Sequence, residues 1–86
     1  MSVYIFSGVD ETQMDKMRKG ALSGVEAREL LFRTLTPRAD WSDQHRCIGA
    51  AVEGGYAYLA RVAIQSGCNP ELLSVLRRAE RAASPW

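Results

Sequence analysis

The sequence has one histidine, two cysteines and three prolines among 86 residues, and its net charge is close to zero. Each scarcity excludes something. A single histidine with two cysteines provides no metal-ligand set of the usual spacing. Two cysteines do not make the disulfide framework of a small secreted domain, so Cys47 and Cys68 are expected to be reduced thiols, partly buried. Eleven basic residues against ten acidic ones give a formal charge of +1, which removes the overall electrostatic footprint of a nucleic-acid binder. No apolar run approaches the length of a membrane span, and the opening "MSVYIFSGVDE" lacks the basic n-region of a signal peptide. The expected location is therefore the cytoplasm.

The remainder is ordinary globular material. A hydrophobic fraction of 47% and a charged fraction of 24% are incompatible with disorder. A chain of this length makes one domain, residues 1–86, with a thin core that self-association would supplement. Lysine is also scarce. Nine of the eleven basic residues are arginine, the side chain suited to bidentate contact with carboxylate or phosphate.

Local signals divide the chain into four helices after a short arm. "VYIF" (3–6), within an arm spanning 1–9, reads as a β-strand or extended segment. Asp10 caps a helix over about 11–19, carrying Met14 and Met17 on one side and ended by Gly20. "SGVE" is a capping box, with Ser23 as cap and Glu26 reaching back, and it opens a helix over about 24–35. The stripe of that helix is Ala27, Leu30, Leu31, Thr34 and Leu35, and Pro37 stops it. Asp40 or Ser42 caps the longest segment, about 42–66. Asn69, Pro70 and Glu71 start the last helix, about 70–83, striped by Leu72, Val75, Leu76, Ala79 and Ala82. The expected fold is mainly α: a small four-helix domain with a short N-terminal strand or arm.

Two adjacent glycines interrupt the middle of the longest segment. Each costs roughly 1 kcal/mol in a helix interior relative to alanine. Read as one helix, the segment buries Ile48, Ala51, Val52, Gly55, Leu59, Val62 and Ala63. Cys47, Ala50, Ala51, Gly54 and Gly55 form a band of small side chains along it, letting another backbone approach closely. That backbone belongs to this chain, to a second copy or to a foreign protein. At least one of Gly54 and Gly55 is expected to tolerate no side chain. Tyr56 and Tyr58 flank the band and cannot face the same way, so at least one should reach the surface as a contact residue.

Candidate catalytic chemistry is thin. His45 and Cys47 stand two apart, which on a helix points them in different directions and prevents a nucleophile–base pair. "SGVDE" and "EGGY" lack the spacing and the lysine of a phosphate loop. Glu26 has a capping role, and Glu53 has no evident cationic partner. No catalytic, cofactor-binding or metal-binding residues are assigned, and no cofactor is expected. Arg77, Arg78 and Arg81 make the one dense basic cluster, near a helix C-terminus where the macrodipole favours cations.

The composition fits a non-enzymatic protein-interaction module best: a regulator, adaptor or inhibitor that binds another protein through a helical surface. Stand-alone proteins of this size from bacteria and phages often work in this way. The residues expected at the contact are Trp41, Gly54, Gly55, Tyr56, Tyr58, Arg77, Arg78 and Arg81, with a homodimer as one arrangement. Tyr4, Phe6 and Trp86 add aromatic candidates. The alternative is a dimeric DNA-binding regulator, since a strand followed by helices loosely resembles ribbon–helix–helix repressors. Those ribbons present polar or basic side chains to bases, whereas this strand offers Val3, Tyr4, Ile5 and Phe6.

Overall fold

A computed structural model describes residues 10–36, 39–66 and 70–83. Five helices run through them: α1 (Glu11–Arg18), α2 (Gly24–Thr34), α3 (Trp41–Gly54), α4 (Ala57–Gln65) and α5 (Leu72–Ala83). The mainly α class holds. The helix count does not, because the longest predicted helix is two. The "VYIF" arm, Pro37, Cys68 and Asn69 lie outside the described residues.

The starts of the first three helices follow the local chemistry. The Asp10 carboxylate accepts from the Thr12 and Gln13 amides at 2.9 and 3.3 Å. Ser23 and Glu26 complete the capping box in both directions, at 3.1 and 3.0 Å. Asp40 caps α3 through the Ser42 amide at 3.2 Å and also accepts from the Ser42 hydroxyl. The α2 stripe is buried at every expected position, and Met14 and Met17 of α1 are fully buried. The last helix begins at Leu72, two residues later than expected, after a turn in which the Pro70 carbonyl accepts from the Leu73 amide at 3.0 Å. Ala82 at its far end is exposed.

α3 is the central element: α1, α2, α4 and α5 all pack against it, and α4 also packs against α2 and α5. Its inward positions are Cys47, Ile48, Ala50 and Ala51, so three of the four are small and neighbouring helices come close. Gln44, buried near its start, donates to the Thr36 carbonyl at 2.6 Å and ties the preceding connection down.

The two glycines end α3. Gly55 has φ +91°, the left-handed conformation, and two bonds complete a Schellman turn: Tyr56 N–H to the Ala51 carbonyl at 2.7 Å and Gly55 N–H to the Val52 carbonyl at 3.3 Å. α1 ends in the same way at Gly20, φ +74°, with Ala21 N–H to Lys16 at 2.8 Å and Gly20 N–H to Met17 at 3.0 Å. Gly54 has a different reason. A Cβ there would overlap the Met17 carbonyl, standing 2.9 Å from its carbon and 3.0 Å from a Tyr56 ring atom. The expected close approach therefore exists, within this chain.

The break also resets the helical phase. Read as one continuous helix, residues 42–66 would bury Gly55, Leu59, Val62 and Ala63. In the structure α4 buries Ala60, Ala63 and Ile64, while Gly55 is exposed and Val62 faces outward.

Candidate functional site

The eight residues expected at a contact separate into two groups. Gly54 and Tyr56 are taken up inside the molecule. Tyr56 is only 7% exposed, and its hydroxyl both accepts from the Leu22 amide at 2.9 Å and donates to the Leu22 carbonyl at 2.5 Å. It fastens the turn after α1 to the corner between α3 and α4. Both were expected among the contact residues; in the structure they meet other parts of this chain, and Tyr58 is the tyrosine that reaches the surface. The small-residue band serves an internal crossing because α1 ends on it. Gly55 is exposed, with open space where a Cβ would point.

The other group lies outside. Tyr58 is 63% exposed and Val62, one turn later, 46%. With 100° per residue these two and Gln65 form the outer stripe of α4, opposite Ala60, Ala63 and Ile64. Arg61 lies on the flank of that stripe and reaches across to Glu80 of α5 at 3.3 Å. Arg77, Arg78 and Arg81 are exposed, and none makes an ion pair among the described residues. Arg77 precedes Glu80 by three residues and so stands beside the Arg61–Glu80 pair, and Arg81, four residues after Arg77, stands beside Arg77. Arg78 turns toward the other flank of α5.

Three arginines of α1–α3 are engaged instead, while the exposed Arg33 of α2 makes no ion pair among the described residues. Arg46 of α3 pairs with Glu11 of α1 and with Asp43 at 3.2 Å. Its hydrogen bond holds the Glu11 carboxyl below the usual range and raises the Arg46 guanidinium in turn. Arg18 meets Asp15 at 3.5 Å and Glu53 at 3.9 Å, so Glu53 does have a cationic neighbour, supplied by α1. Arg28 lies over the Phe32 ring, 4.9 Å from its centroid.

Trp41 is 53% exposed at the start of α3 and meets His45 edge-on, with ring centroids 4.2 Å apart. His45 Nδ1 lies 3.0 Å from the Trp41 carbonyl, so the ring is turned back along its own helix. Cys47 is fully buried, and burial pushes its thiol up to about 12, with a hydrogen bond to the Thr34 side chain pulling the other way. A thiol so held is inert as a nucleophile at neutral pH. Among the described residues no group of His, Cys, Asp and Glu is arranged to hold a metal ion, and no helix is long and apolar enough to cross a membrane.

Val62 is an exposed residue of α4 that the sequence reading placed in the core, because it assumed an unbroken helix. Two consecutive glycines followed by tyrosine were the available signal, since glycine is the usual residue just past a helix end. The chain matches no protein-family model, and no curated protein or solved structure is significantly similar to it.

Proposed function

We propose that the protein is a non-enzymatic interaction module, a cytoplasmic regulator, adaptor or inhibitor that binds another protein through the outer face of α4. The observation that carries this reading is the pair Tyr58 and Val62, exposed one turn apart on a helix whose opposite side is locked into the core. Apolar anchors at i and i+4 on a rigid helix are the arrangement by which helices seat in a partner's groove, and tyrosine is among the residues that dominate such contacts. The partner is a second protein or a second copy of this chain.

The test compares the wild-type chain with a Tyr58→Ser/Val62→Ser double variant. Sedimentation across a concentration range reads self-association, and affinity capture from the native extract reads foreign partners. The expected result is a defined partner or dimer that the variant loses while its thermal melt is unchanged. Binding that survives both substitutions would move the contact elsewhere. A DNA-binding reading rests on the unpaired arginines of α5 and predicts retention on heparin or random duplex at low salt, released as salt rises. Near-neutral overall charge weighs against it.

A further inference from the structure

Charge is unevenly distributed in this nearly neutral molecule. α4 and α5 together contain four arginines and one carboxylate, Glu80, and that carboxylate is held by Arg61. The six acidic residues of α1–α3 stand against five basic ones. The α4–α5 side therefore carries net positive charge, even with Glu71 just before α5, and the Arg61–Glu80 pair stands between its exposed apolar residues and the arginines of α5. Going around the two helices, the order is Val62 and Tyr58, then Arg61 bridged to Glu80, then Arg77 and Arg81.

We infer that this face accepts an acidic segment of a partner protein, with apolar side chains seated on Tyr58 and Val62 and carboxylates engaged by Arg77 and Arg81. The inference rests on the interaction reading above and adds the chemistry of the partner. Three features favour a carboxylate-bearing peptide over a nucleic-acid backbone. The basic residues are arginines, whose planar guanidinium takes a carboxylate in a two-bond fork. An apolar pair is exposed on the neighbouring helix, which a phosphate backbone would not use. The cations of α5 without an acidic partner among the described residues number three, Arg77, Arg78 and Arg81, fewer than the phosphate contacts by which a polyanion is held through charge alone. The Arg61–Glu80 pair fixes the spacing between the apolar and charged parts, and it removes the one carboxylate on these helices that would repel an acidic partner.

The test is selection of a random-peptide display library on the immobilised full chain, repeated on Arg77→Glu/Arg81→Glu and on Arg77→Gln/Arg81→Gln. Both variants change exposed side chains, and melting curves establish that each is folded. The expected outcome is enrichment of peptides combining Asp or Glu with apolar residues, with affinity reduced roughly tenfold or more by charge reversal and less by neutralisation. Enriched peptides without acidic bias, lost on Tyr58→Ser but indifferent to the arginine variants, would overturn the acidic partner and leave the interaction reading standing. No enrichment above background would overturn both. A short random DNA duplex bound at physiological salt, and released by the arginine variants, would assign the face to phosphates and overturn the proposal.

Discussion

The end where α1 meets α3 and the side formed by α4 and α5 use similar residues to opposite ends. At the first, two helices finish in the same glycine turn and the turns interlock. Gly54 admits the Met17 carbonyl, a Cβ on Gly20 would stand 3.1 Å from the Gly54 oxygen, and Tyr56 bonds both backbone groups of Leu22. The nearby charges of Arg18 and Arg46 are met within the chain. At the second, a tyrosine two residues further on stands in solvent, and three arginines of α5 have no acidic partner among the described residues. One region spends its polar and aromatic groups on itself. The other holds them out on a rigid frame, and that contrast is the basis for placing the contact on α4 and α5.

The sharpest way to break the comparison is Gly54→Ala. The added methyl has no room beside the Met17 carbonyl, which is backbone and cannot rotate away. The expected loss is about 3 kcal/mol or more, beyond ordinary overpacking and far beyond the small gain in helix propensity. On a domain of this size it should lower the melting temperature by over about 10 °C. A melt at or above the wild-type value would mean that α1 and α3 do not meet here.

Tyr56→Phe keeps the ring and removes the hydroxyl, leaving the Leu22 amide and carbonyl without this partner. A cost of about 1–3 kcal/mol is expected, read by denaturant unfolding. Tyr58→Phe provides the control, and its exposed hydroxyl should leave stability within about 0.5 kcal/mol of wild type.

Gly55→Ala tests backbone conformation without crowding, since the space around it is open while φ is +91°. A loss of about 1–2 kcal/mol is expected. Gly49→Ala is its opposite. It lies inside α3 with nothing near its Cβ position, so the expected change is a gain of up to about 1 kcal/mol. The three glycines of one helix should thus give a large loss, a moderate loss and a gain in the same melting experiment.

Acid should act on the same side of the comparison, with the smallest effect. The carboxyls held below their ordinary range are Glu11, through its bond to Arg46, Glu26, through the capping bonds with Ser23, and Asp40, through Ser42. All three belong to the α1–α3 half. The folded chain binds their protons less readily than the unfolded chain, so their contribution is present above the ordinary carboxylate range. It is lost as pH falls through the lowered values, from about pH 4 downward. Melting temperatures that decline over that window, with a smaller decline in Ser23→Ala, would tie the effect to the cap of α2. An unchanged slope in Ser23→Ala would separate acid sensitivity from that cap.

The starts of α1, α2 and α3, the stripe of α2 and the burial of Met14 and Met17 were legible in the sequence because each follows from residues a few positions apart. An Asp, Ser or Asp cap acts on amides two or three residues on, and apolar spacing fixes which side of a helix leaves water. The sequence also marked Gly54 and Gly55 as too costly to be incidental. It did not determine which work each glycine does. Gly54 depends on a carbonyl contributed by Met17, and Tyr56 faces inward because Leu22, 34 residues earlier, offers it two backbone partners. Those partners exist only once α1 has packed on α3. The left-handed turn at Gly55 then rotates everything after it, so the same periodicity that placed Val62 in the core of one long helix puts it on the surface of a shorter one. Local chemistry set the helices. Long-range contacts decided where one of them stopped, and with it which face of α4 is left exposed.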